Sequence, residues 1–191
     1  MKNDLFLITK KFIKESFGDT NMQSQIKHLL RTAYWVKFLY PKANEALLVA
    51  AISHDIDKVF RKPGYYENMV RSNKGFLKKE SIIEHPKRCS KIMEGFLKRN
   101  KVKKELIFKI KDFIEKYEIG GNKEQNILKD ANSLSFFENN VDVFLSLKKW
   151  GSNKQNIRDK FDWMYSRITS RKAKSIAKPW YEKAIKLLIK S

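Results

Sequence analysis

The chain contains only three histidines, His28, His54 and His85, and each falls in a predicted helical segment or at its edge. His54 is followed at once by Asp55. The pair sits at the polar end of the most apolar stretch, ALLVAAISHDIDKVF, from Ala46 to Phe60. A buried, unpaired carboxylate in such a place is costly or becomes protonated. A shared cation removes that penalty, and it also offsets the unfavourable position of an anion near a helix C-terminus. Neighbours on a helix lie about 100° apart, so His54 and Asp55 can reach one ion from its two flanks. His28 lies two antiparallel helix lengths earlier and can return alongside His54. Asp130, in LKDANSLSFFE, is another acid inside an apolar helical segment. Two imidazoles and two carboxylates make a mixed nitrogen and oxygen set. It suits one divalent ion among Mn, Fe, Co, Ni and Zn, with Mg also a candidate.

Other charged side chains surround these four. Arg31 follows His28 by three residues and shares its helix face, where it can bind a phosphate bidentately or pair with Asp55 or Asp57. Asp57 shares a face with His54, and Lys58 with Asp55. The basic residues Arg61, Lys62, Arg71, Lys74, Lys78 and Lys79 flank the loop after the doublet, as a basic mouth or as plain solvated surface. Trp163, Tyr165, Trp180 and Tyr181 stand among basic residues near the C-terminus, an arrangement that stacks bases in some proteins and forms core in more. Arg167 is a further candidate substrate contact. The single cysteine, Cys89, excludes an intramolecular disulfide and reads as a small core residue.

The elements that must position these groups are helices. The 191 residues include 7 glycines and 4 prolines, and apolar residues recur at three- and four-residue spacing almost throughout. The expectation is an all-α single domain over residues 1–191, with about seven to nine helices. Its core spans about 22–140, and C-terminal helices over about 141–191 pack on that core. Helices are expected near Leu5–Gly18, Ile26–Tyr40, Asn44–Val59, Lys78–Lys98, Val102–Tyr117, from Lys123, Val141–Lys149, Gln155–Thr169 and Ala173–Ile189. Pro86 implies a kink, or a start after a short turn. No apolar run approaches the roughly 18 residues needed to span a bilayer, and the N-terminus lacks a signal peptide's apolar core. No membrane partner and a cytoplasmic location are expected. The net charge of +20 favours an anionic ligand, with nucleic acid as a possible partner.

The ordered set His28, His54-Asp55, Asp130 resembles the H…HD…D signature of the HD-domain superfamily of metal-dependent phosphohydrolases. HLLRTAYW is similar to that family's H-x-x-R helix, and LLVAAISHDIDK to its apolar run into the doublet. EHPKRCSKIM resembles the extra histidine segment of many members, and LKDANSLSFFE the acidic helix that closes the site. The resemblance covers about Gln25 to Glu138. It implies a helical bundle around one metal held by His28, His54, Asp55 and Asp130, hydrolysing a phosphoester, with a nucleotide as the expected substrate. In relatives an acid after the doublet orients the attacking water. This makes Asp57 a candidate general base, with a salt-bridge role equally open. Lys58 is a candidate phosphate contact or a solvated lysine. His85 is a phosphate contact, a proton donor or a brace for a ligand, or simply a helix-terminal histidine. The alternative function is a helical protein that binds a nucleotide or nucleic acid without hydrolysis, its metal being structural.

Overall fold

Seven consecutive apolar residues, Ala46 to Ile52, leave a helix no polar face, and the chain wraps other helices around them so that only Leu48 is left partly exposed. In the computed structural model, which describes residues 4–18, 22–62, 65 and 75–190, this stretch forms α3 (Glu45–Ser53). Asn44 caps its first turn by accepting the Leu47 N–H at 3.0 Å. Four helices pack on α3: α1 (Leu5–Phe17), α2 (Gln23–Leu39), α5 (Lys104–Lys116) and α6 (Lys123–Asn139). Between α3 and α5 in the chain lies α4 (His85–Arg99), which packs on α5. The chain continues through α7 (Val141–Ser146), α8 (Lys154–Ser166) and α9 (Arg171–Lys190). The last of these lies against α6 and α8. Among the described residues there are nine α-helices and no strand, so the protein is all-α as expected. No helix among them is long and apolar enough to cross a membrane.

Two boundaries differ from those expected, and both fall at the chemistry. The third helix does not run on to Val59. It ends at Ser53, and the chain winds more tightly through a 3₁₀ turn, Ile56–Phe60. His54 and Asp55 therefore sit in the corner between the two, with Asp55 at φ −113°, ψ 12°. The tighter winding sends successive acids to different partners. The fourth helix starts at His85, with Pro86 in its first turn where the missing N–H costs nothing. A separate π turn, Glu80–Glu84, precedes it. Most of the expected loop between Arg61 and Gly75, including Arg71 and Lys74, lies outside the described residues.

The link from α5 to α6 is also sequence-specific. Gly120 has φ +78°, and a Cβ there would sit 2.2 Å from Asn126 Oδ1. Only glycine fits this turn. The turn brings Tyr117 and Glu118, at the end of α5, into the wall of the cavity described below. Asn122 and Gln125 then form a capping box that starts α6.

Candidate metal centre and adjoining cavity

His28 comes from α2 and His54 from the end of α3, and their rings meet edge to face at 5.3 Å. Each ring is oriented through Nδ1. His54 Nδ1–H donates to the Ala51 carbonyl at 2.9 Å. His28 Nδ1–H donates to Ser135 Oγ at 2.9 Å, while the Ser135 hydroxyl donates to the His28 carbonyl at 2.7 Å. Both Nε2 lone pairs are thereby directed to one place, 3.9 and 3.8 Å from Asp55 Oδ2. Burial pushes the His28 pKa down to about 3, helped by His54, and burial likewise lowers that of His54. Both imidazoles are neutral, which is the form that binds a metal. His54 Nε2 is buried with no hydrogen-bond partner. Buried polar atoms are rarely left so, and this one faces a second lone pair and a carboxylate. The donors of His28, His54 and Asp55 lie within 4.8 Å of one another. The set fits a borderline divalent ion, with ring orientation built in.

Asp55 is the hub. Its Oδ1 accepts from His85 Nε2 at 2.9 Å and from the Tyr117 hydroxyl at 3.2 Å. Its Oδ2 accepts from Gln25 Nε2 at 2.7 Å and from the Lys58 ammonium. Burial opposes the Asp55 charge, but Lys58, His54 and His85 outweigh it and hold the carboxyl well below its usual range. Lys58 also donates to Gln25 Oε1 at 3.1 Å. Its ammonium thus occupies the oxygen that faces the two histidines.

Asp57 lies on the other side of His85. Its Oδ2 accepts from His85 Nδ1 at 2.8 Å, from Arg61 Nε and Nη2 at 3.1 Å, and from Arg88 Nε at 3.2 Å. Burial raises its pKa, but His85, Arg88 and Arg61 together depress it strongly. A carboxylate so held is a poor proton acceptor. Asp57 is salt-bridged, but to Arg61 and Arg88 rather than to the expected Arg31 or Lys58. His85 is buried between two carboxylates. Burial disfavours its charge, yet the Cys89 sulfur and the bonds to Asp55 and Asp57 raise its pKa well above the ordinary value. Cys89 is fully buried and accepts the Asp57 N–H at 3.4 Å, so it belongs to the packing behind this cluster.

A cavity of about 330 Å³ opens over Asp55 and His28. Lys58 and Arg61 line its polar end. Phe76, Phe136, Phe144, Met164 and Leu147 make an apolar wall, and Glu118, Asn132 and Lys160 supply further polar groups. Five of these polar groups were not singled out from sequence: Gln25, Tyr117, Glu118, Asn132 and Lys160. Only the asparagine carried a local signal, being a polar residue in an apolar helical run.

The structure does not bring Asp130 to this group. Its Oδ1 accepts the Thr169 N–H and its Oδ2 the Ser170 N–H, each at 2.8 Å, so that it fastens the start of α9. Residues two apart on a helix point about 200° apart. Asn132, not Asp130, therefore turns toward the cavity. It is only 4% exposed, and its side chain makes no hydrogen bond to any described residue. Arg31 is also placed elsewhere. Its guanidinium is bidentate to Glu138, at 2.9 and 2.8 Å, and lies over the Tyr34 ring. The C-terminal aromatics pack on one another and on the core. Tyr165 stacks on Tyr181 at 4.4 Å, and Trp180 meets Trp35. Arg167 is buried against Glu118 and Ser133 rather than presented to a ligand.

A family model described as a domain of unknown function, DUF4202, matches residues 13–189. No curated protein and no solved structure shows a significant match to the chain.

Proposed function

The chain belongs to the DUF4202 family, and we propose that it is a metal-dependent phosphohydrolase acting on a phosphoester of nucleotide type. One observation carries this reading: two neutral, buried imidazole lone pairs converge with Asp55 at the polar end of a cavity. His28, His54 and Asp55 would hold the ion, and Asn132 offers a neutral amide oxygen from the same cavity wall. A divalent ion bound there would lower the pKa of a coordinated water and polarise a phosphorus–oxygen bond.

The remaining work falls to the chain's own residues. Lys58, Arg61, Arg88 and a protonated His85 outnumber Asp55, Asp57 and Glu80, so the polar end carries surplus positive charge that attracts a phosphate. His85 and Tyr117 hold Asp55 Oδ1, which leaves the orientation of Oδ2 toward the histidines unchanged when Lys58 moves. Lys58, displaced from Asp55 by the ion, suits a phosphate oxygen. Phe136, Phe144 and Phe76 give a nucleobase or other flat apolar body a dry surface.

Strip the protein with a chelator, then restore Mn, Fe, Co, Ni, Zn or Mg singly. Measure bound metal, and measure phosphate released from a panel of nucleotides. One ion per chain and metal-dependent release are expected, both lost in His54→Ala. Metal uptake unchanged in His54→Ala and Asp55→Ala removes the basis of the reading. A second reading is favoured by the Lys58 ammonium at Asp55. There the lysine serves in place of an ion, and the cavity binds an anion without hydrolysing it. Tight phosphate binding by the stripped protein, with no turnover under any metal, would select it.

A further inference from the structure

The cavity holds one cation that the proposed chemistry does not use. Lys160 projects from α8 into the wall that also contains Glu118, Asn132 and Met164. Among the described residues no hydrogen bond or ion pair within 4 Å engages its ammonium. The group rests instead on ring faces, 4.8 Å from Trp163 and 5.9 Å from Phe136. The nearby Glu118 carboxylate attracts it without a hydrogen bond, because Arg167 already binds both that carboxylate and the Glu118 carbonyl. Burial brings the Lys160 pKa down to about 8, and Glu118 offsets only part of the effect. A methionine would fill the same space at no electrostatic cost, as neighbouring Met164 does. An ammonium in a cavity wall with no hydrogen-bonded partner among the described residues points to a ligand that completes it.

We infer that Lys160 binds a second anionic group of the substrate. The ligand then has a phosphoester at the histidine and aspartate end and a second phosphate or a carboxylate at α8, joined by an apolar or flat body. Phe136 and Phe144 line the same cavity. The inference rests on the phosphohydrolase reading for its first anionic end. The second end follows from α8 alone.

The test uses full-length protein with Mn²⁺ and three non-hydrolysable probes: phenylphosphonate, 4-carboxyphenylphosphonate and 1,4-phenylenediphosphonate. Calorimetry should show one or both two-ended probes binding about tenfold tighter than phenylphosphonate, as one added charge-assisted contact provides. Comparing the two identifies carboxylate or phosphate as the second group. In Lys160→Met that preference should vanish, with phenylphosphonate affinity within about twofold of wild type; Lys160→Arg should keep most of it. A melting curve for Lys160→Met at or above wild type excludes misfolding. Equal affinity for all three probes in wild type, or a preference that survives Lys160→Met, overturns the inference while leaving the phosphohydrolase reading in place. Failure of every probe to bind, together with no metal uptake, overturns both.

Discussion

Replacing Lys58 with methionine should strengthen metal binding and weaken phosphoester turnover at once. The Lys58 ammonium contacts Asp55 Oδ2, the oxygen that faces both histidines, and lies 3.1 Å from Gln25 Oε1. An ion sharing that oxygen must displace it. Two unit charges about 4 Å apart interact by about 4 kcal/mol at an effective dielectric near 20. The lysine side chain is 22% exposed, so water recovers part of this when the ammonium swings out. A net competition of about 1.5–3 kcal/mol remains, or roughly 10- to 100-fold in Kd. Calorimetric titration of Mn²⁺ or Zn²⁺ into chelator-stripped protein reads this directly, with Asp55→Ala as the non-binding control. Asp55 keeps Gln25, His85 and Tyr117 as donors in the variant. Its metal-free fold should therefore lose only about 1 kcal/mol, recovered when an ion binds. Metal affinity equal to or below wild type in Lys58→Met would refute the competition, and with it the placement of the ion at Asp55 Oδ2.

Asp130→Ala should cost about 1–3 kcal/mol in urea denaturation, because the N–H groups that start α9 lose their acceptor. It should leave metal stoichiometry unchanged, whereas a ligand would not. Ser135→Ala removes the group that orients His28 and should weaken metal binding about 10- to 100-fold in calorimetry, while the buried His28 Nδ1–H left without an acceptor costs about 1–3 kcal/mol of stability. Glu118→Gln tests the acid limb of stability. Burial works to raise the Glu118 pKa, but Arg167 outweighs it and holds it below the ordinary value. The ionised group thus contributes stability that is fully present above the unfolded pKa, near 4.3, and is lost as pH falls through the lower folded value. Denaturation series from pH 7 downward should show a shallower acid loss in Glu118→Gln.

Much of the scaffold was legible because local rules suffice for it. Three- and four-residue periodicity marks the helices, and Asn44, Pro86 and Gly120 punctuate them through capping, a missing N–H and a positive φ. The group His28, His54 and Asp55 was legible for an energetic reason. An imidazole or carboxylate beside ALLVAAI is too costly to bury without a partner, so its presence signals one. The further assignments failed where that argument does not name the partner. Asp130 is as buried as a ligand would be, at 1% exposure, but backbone N–H groups satisfy it.

Which face of a helix meets the cavity was not decided locally. Every residue of α6 from Leu128 to Phe137 is buried. No amphipathic pattern exists there to separate Asp130 from Asn132, and only the packing of α2 and α9 on opposite sides does so. The same holds for Arg31, drawn to Glu138 107 positions away. It holds also for Lys160, carried into the cavity by a helix beyond the stretch that resembles the HD signature. Sequence by itself determined that a helical core surrounds a costly histidine and aspartate cluster. Tertiary structure alone decided which charges neutralise one another and which are left facing the cavity, because Coulomb and hydrogen-bond energies depend on distances that the linear order of residues does not contain.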